Sequence, residues 1–172
     1  MGLGAALAAG VLAATLAAGG CSYSFTPSKL PSHIKTVAIP VFENVTSEPG
    51  IEQEITQQIT REFVADNTLQ VAPEGRADAG IYGRILRYEN RVFGYDAKGE
   101  TQQYEVIIVV AIEFKDLVKR KTLWQEEEMV GRSTYFVVAT TGQPPQDEVT
   151  GRAEAIRLLG SDILNRAVRS WN

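Results

Sequence analysis

The chain has 172 residues, 44% of them apolar and 22% charged, with a formal net charge of −4. These proportions belong to a globular domain with a full core and exclude disorder on a large scale. The acidic balance excludes general nucleic-acid binding, which rests on many cationic contacts to phosphate, and a single cysteine excludes an internal disulfide.

Met1 to Gly20 carries no charged side chain and runs into LAAGGC. The small residues Ala18, Gly19 and Gly20 give a signal peptidase room to reach the backbone. Cys21 then stands where a lipoprotein signal peptide is cut, and its thiol can take an acyl chain such as palmitate. Each buried methylene contributes ~0.8 kcal/mol, so durable anchoring takes two or more chains. Two other readings of the leader stay open. One is a membrane-spanning helix, for which about 20 apolar residues suffice. The other is an ordinary cleaved signal that leaves Cys21 a free thiol. The expected organisation is a signal peptide over 1–20, a lipidated tether over 21–35 and a single α/β domain over 36–172. Serines, a threonine and two prolines fill Ser22 to Lys35, with Tyr23, Phe25 and Leu30 among them. Fully extended, that stretch reaches ~50 Å.

TVAIPVFEN, Thr36 to Asn44, is an apolar, β-branched run that predicts a strand buried on both faces. Pro40 has no N–H for a ladder, so the strand lies at an edge or ends there. After the turn residues up to Gly50, Ile51, Ile55, Ile59 and Phe63 recur every four positions among polar residues. That spacing predicts an amphipathic helix, closed by Asp66 and Asn67. Leu69 to Ala72 is a short strand, and a meander follows: Ala79 to Phe93, Gln102 to Lys115 and Thr122 to Tyr135. In its middle strand Tyr104, Val106, Ile108, Val110, Ile112 and Phe114 alternate on one face, while Ile107, Val109 and Ala111 make the other apolar too. Such a strand is flanked by neighbours on both sides. A last helix packs on the sheet through Val149, Ala153, Ile156, Leu159, Ile163, Ala167 and Trp171. The predicted fold is α+β: a two-layer sandwich of a mixed, mainly antiparallel sheet of about five strands under two helices, in the order β-α-β-β-β-β-α.

Strands rise ~3.3 Å per residue and helices only 1.5 Å, so the first hairpin of the meander should overhang the helical layer. Its predicted overhang is polar, with Glu89, Asn90, Arg91, Gln102 and Gln103, and carries Phe93 and Tyr95 near the tip. An exposed hairpin of this length asks for a partner or for protecting charges.

The opening of the mature chain, CSYSFTPSKLPSHIKTVAIPVFENVTSEPGIEQEITQQITREF, resembles the lipopolysaccharide-assembly lipoprotein family LptE. The shared features are a tyrosine soon after the cysteine (Tyr23), the Leu30-Pro31 pair, the strand with IPVFEN and the acidic helix after it. The resemblance implies an outer-membrane lipoprotein on the periplasmic side that sits inside the β-barrel LptD and helps deliver lipopolysaccharide to the cell surface. It implies no enzymatic activity and no cofactor beyond the lipid on Cys21. IPVFEN with an acidic helix is also similar to lipoproteins that activate penicillin-binding proteins and to the amino-terminal domain of TolB, which are binding modules without a barrel. Copurification separates the two readings.

The remaining residues offer little for catalysis. His33 is the only histidine, which leaves metal sites and triads without their usual base, and it reads as a solvated tether residue. Glu126, Glu127 and Glu128 read as a solvated strand end, since successive strand residues face opposite ways. Gly80 and Gly83 fit strand starts or bulges. A periplasmic hydrolase therefore has no catalytic constellation to rest on. Lys115, Lys119, Arg120 and Lys121 surround the second hairpin turn and are candidates for contact with the phosphates of lipid A, as are Arg87 and Arg91, which share a strand face. Solubility and edge protection are the plainer reading of both groups. Phe93 and Tyr95 are the candidate barrel contacts.

Overall fold

The computed structural model of the chain describes residues 30–139 and 142–169. The leader, Cys21, Tyr23, Phe25 and Trp171 lie outside the described residues. The apolar run around Pro40 forms two strands, β1 (Thr36–Ala38) and β2 (Glu43–Asn44). Helix α1 (Ile51–Asp66) follows, then β3 (Gln70–Val71), a single 3-10 turn at Glu74–Arg76, β4 (Ala79–Tyr95), β5 (Thr101–Asp116), β6 (Lys121–Phe136) and helix α2 (Glu148–Leu164), which runs on into a π-helical turn at Asn165–Arg169.

The six strands form one sheet in the order β3-β1-β4-β5-β6, with β2 pairing β4 further along. β1 is parallel to both β3 and β4, so it lies inside the sheet and not at an edge. Of the two outcomes that Pro40 allows, termination is the one realised: the ladder breaks before the missing N–H is needed. The meander is antiparallel, with β5 between β4 and β6 as its two apolar faces require.

Both helices cover one face. Ile51, Ile55, Ile59 and Phe63 of α1 are all 0% exposed and meet Val106, Ile108, Val110 and Phe114 of β5 in one core. Fully burying such side chains contributes ~1.5–3 kcal/mol each. Gly50 and Asn67, both left-handed, bound α1, and the Asn67 N–H closes the helix on the carbonyl of Phe63. Asp147 caps α2 by accepting from the Thr150 N–H at 2.9 Å.

Three local expectations need correction. Val149 is 61% exposed and Ala153 is exposed as well. The buried stripe of α2 runs instead through Gly151, Ala155, Leu159 and Ile163, because a Cβ on Gly151 would stand 2.4 Å from the Tyr135 ring. Gly83 marks no bulge: a Cβ there would meet the Phe42 ring at 2.1 Å, so its bareness lets Phe42 lie on the strand. The bulge falls at Leu86, where the β4–β5 register shifts between Ile85 and Arg87. That shift returns Tyr88 to the helical side and brings Arg84 onto the outer face with Arg87 and Arg91.

Residues 30–35, expected as the end of the tether, are folded onto the domain. The Ile34 N–H bonds the Pro31 carbonyl at 2.9 Å, and this turn drives Ile34 into the core at 2% exposure.

Candidate functional site

The β4–β5 hairpin is rooted by polar contacts to the helical layer. The Tyr88 hydroxyl donates to the Glu148 carboxylate at 2.5 Å, and burial, with that acid beside it, pushes the phenol well above its ordinary pKa. Asn90 donates to the Tyr135 hydroxyl at 3.0 Å, and the Tyr135 ring stacks on Tyr104 with centroids 5.6 Å apart. The stem is therefore clamped through Asn90, and the predicted overhang of Glu89, Asn90 and Arg91 shrinks to the stretch from Val92 to Gln103. Within it Phe93 is 56% and Tyr95 65% exposed. The turn beyond is tight, since Asp96 Oδ1 accepts from the N–H groups of Lys98 and Glu100, each at 2.8 Å.

The outer sheet face carries charges over an apolar floor. Ile107 and Val109 are 5% and 2% exposed although no described helix covers them. Glu105, at 2%, is buried beside them. A buried carboxylate without a partner is destabilising by several kcal/mol, and the register sets Arg91 directly opposite. Arg91 donates to Glu105 from Nε at 3.0 Å and from a terminal nitrogen at 2.7 Å, with Arg132 at 3.6 Å. Arg87 lies 3.4 Å from Glu89. Two of the candidate lipopolysaccharide contacts thus already hold carboxylates. Sequence reasoning passed over Glu105, though an acid inside YEVIIVV is itself a sign of a cationic partner across the strand.

The turn between β5 and β6 gathers the other four candidates. Lys115 pairs with Glu113 at 2.9 Å and lies 5.3 Å from the centroid of the Tyr82 ring. Lys119, Arg120 and Lys121 are exposed, and among the described residues none of them forms an ion pair. Val118 beside them is 62% exposed. Below the turn, Asp116 is 1% exposed. Its Oδ1 accepts from the Lys119 N–H at 2.8 Å and its Oδ2 meets His33 Nε2 at 2.7 Å. His33 is thus no solvated tether residue: the Pro31–Ile34 turn lays its ring on Asp116. Asp78 completes the junction, with Oδ2 accepting from the N–H groups of Lys35 and Thr36 at 2.9 and 3.0 Å and from the Thr36 hydroxyl at 2.8 Å.

These contacts set an acid limit on the fold. Burial raises the Asp116 pKa, but the bonds from Lys119 and His33 more than offset it and hold the carboxyl below its ordinary value. The Lys35 N–H, followed by the Thr36 hydroxyl, does the same for Asp78. Unfolded aspartates titrate near ~3.9, so the extra stability is whole above that pH and drains away as pH falls through the lower folded values. Thermal melts should drop steeply below pH ~4, and the double variant Asp78→Asn, Asp116→Asn should show a shallower decline there. An unchanged slope in that variant would assign the acid sensitivity to other groups.

A shallow recess of about 270 Å³ on the outer face brings together Tyr82, Arg84, Glu113, Gln125 and Glu127, with no nucleophile and base in contact. Glu126 pairs with Arg166, whereas Glu127 and Glu128 are exposed, although all three lie in the middle of β6 and not at the strand end expected of them. Among the described residues no three or more His, Cys, Asp or Glu side chains gather as a metal site would require, and no described helix is long and apolar enough to cross a membrane. One network was illegible in the sequence. Arg152 of α2 pairs with Glu48 at 2.7 Å and Glu54 at 3.2 Å, joining the two helices, and no local pattern relates residues so far apart.

The family model described as "Lipopolysaccharide-assembly", LptE, matches residues 34–170, nearly the whole described fold. The chain belongs to the LptE family. No curated protein matches it. Among solved structures, a Xanthomonas campestris protein superposes with a TM-score of 0.54 at 10% identity, covering 83% of this chain and 90% of that one. The PelC dodecamer from Paraburkholderia phytofirmans gives a TM-score of 0.52 at 14% identity, covering 78% and 87%. At such identities the likeness concerns the fold alone. The LptE match begins at Ile34, the first fully buried core residue among those described, so the family's domain includes the end of the expected tether.

Proposed function

We propose that this LptE-family chain is an outer-membrane lipoprotein, anchored through Cys21 on the periplasmic side, that assists lipopolysaccharide assembly as the plug and partner of the LptD β-barrel. The family match over residues 34–170 carries the reading. The hairpin supports the plug role, because Phe93 and Tyr95 stand exposed on a clamped stem and aromatic anchors dominate interface energetics. The work is mechanical and recognitive, and it calls for no catalytic group and no cofactor apart from the lipid on Cys21. Arg87, Arg91 and Lys115 are engaged by carboxylates, which leaves Lys119, Arg120 and Lys121 as the cations open to phosphate.

Tagged protein isolated from detergent-extracted membranes should bring down a large outer-membrane barrel. Recovery of a soluble synthase instead would favour the penicillin-binding-protein activators, and a soluble complex of the TolB kind would likewise displace the plug. The anchor has its own test. Cys21→Ser should leave the precursor uncut and unacylated, and mass spectrometry that finds Met1 on the mature wild-type protein would end the lipoprotein reading.

A further inference from the structure

The stem of the β4–β5 hairpin has β5 on one side and an open edge on the other. That second side of β4 is paired by β1 at Ala79 and Gly80 and by β2 at Arg84 and Ile85, and the Val45 N–H makes the last bond of the seam, to the Ile85 carbonyl at 3.2 Å. From Leu86 to Tyr95 no described strand pairs with this edge. Main-chain groups alternate in direction along an antiparallel ladder. The Ile85 carbonyl points away from β5 and Leu86 is the extra residue of the bulge, so the main-chain groups of Tyr88, Asn90 and Val92 face the open side, while those of Arg87, Glu89 and Arg91 serve β5. The next register shift comes only after Val92. The regular stretch Arg87 to Val92 is therefore ~20 Å long, the usual length of a strand.

The opposite edge of the sheet is blunted. On β6, Gln146 takes both the N–H and the carbonyl of Phe136, and the ladder is bulged beside Glu127 and Glu128, which are devices that keep an edge from pairing. The bulges of β4 bound its open stretch without interrupting it, and apolar side chains stand along it: Val45 is 54%, Leu86 36% and Val92 37% exposed. β2 shows what the seam recognises. It sets Glu43 opposite Arg84, whose Nε donates to the carboxylate at 2.8 Å. Further along the same face come Arg87 and Arg91, each more than half exposed although Glu89 and Glu105 touch them. A guanidinium has five donors and can take a second carboxylate.

We infer that the β4 edge from Arg87 to Val92 receives an added strand from the barrel partner, an extended segment that sets acidic side chains opposite Arg87 and Arg91. The inference rests on the plug reading above and names a contact on the stem just below the aromatic tip. Strands of a closed barrel have no free edge to offer, so the segment comes from a loop or a terminal extension of that partner. Main-chain bonds at Tyr88, Asn90 and Val92 supply the attachment, and the arginines select the segment.

The test uses the complex isolated from detergent-extracted membranes, so that absence of the barrel is seen first and removes the plug reading together with its added strand. Amide hydrogen exchange should be fast at Tyr88, Asn90 and Val92 in the free chain and slower by about tenfold or more in the complex, with Glu89 and Arg91 slow in both. Val92→Pro deletes a donor that β5 does not use, so it should melt like wild type and weaken capture of the barrel about tenfold. Arg87→Glu should weaken capture about fivefold in ~0.1 M salt and less in ~1 M salt, while Arg87→Lys retains it. Unchanged exchange at the three outward amides, with the barrel captured, would overturn the added strand and leave the plug reading standing. Full capture by Val92→Pro would reduce the contact to side chains and overturn it as well; should the proline lower the melt, exchange in the wild-type complex decides alone. Full capture by Arg87→Glu would overturn the acidic character of the segment. Protection already present in the concentrated free chain, at twice the monomer mass by light scattering, would give the edge to a second copy instead.

Discussion

Ile108→Ala and Ile59→Ala should each destabilise the domain by ~2–5 kcal/mol, the lost transfer free energy plus the cavity left behind. Both side chains are 0% exposed and face each other's layer, one from the middle of β5 and one from α1. Neither site can collapse easily. Ile108 is fixed between Tyr88 and Gly131 on the two adjacent strands, and Ile59 sits on the helix face that α2 closes at Gly160, where a Cβ would lie 3.8 Å from the Ile59 backbone nitrogen. In a domain of this size each kcal/mol moves the melting midpoint by ~2–4 °C, so either variant should melt well below wild type. A melt unchanged by both substitutions would mean that the helical and outer faces of the sheet are inverted.

Phe93→Ser combined with Tyr95→Ser should have the larger effect on function. The two rings contribute little to the isolated fold, being 56% and 65% exposed on a hairpin whose stability comes from Tyr88, Asn90 and Tyr135 lower down. If they enter a barrel they become buried anchors, and truncating such residues removes ~2 kcal/mol or more of binding each. Taken together, the two losses should cut capture of the barrel about a thousandfold while the melting curve of the free domain stays close to wild type. Undiminished capture by the double variant would take the hairpin tip out of the interface and turn attention to the exposed side of the helical layer.

The candidate site was legible in residue type more than in arrangement. Phe93 and Tyr95 are exposed near the tip as their position predicts, and the four basic residues of the β5–β6 turn do share one place. Arg87 and Arg91 do share a strand face, yet each is held by an acid, Glu89 or Glu105. Those pairings depend on register across a bulged ladder, which residue spacing along one strand does not contain.

The sequence by itself determined the succession of elements and the inner faces of α1 and β5. Both faces are written as a local period, four residues for Ile51, Ile55, Ile59 and Phe63 and two residues for Val106, Ile108 and Val110, and a period survives whatever the rest of the chain does. The tertiary structure alone decided where β1 sits, between β3 and β4, because parallel partners are joined by long crossovers with no local signature. It also decided the burial of Gly151 over Val149 on α2, through the approach of the Tyr135 ring. The capture of His33 by Asp116, 83 positions away, belongs with these. Each is a close contact between distant segments, set by the shape of the packed layers and not by any property of the residue's own neighbours.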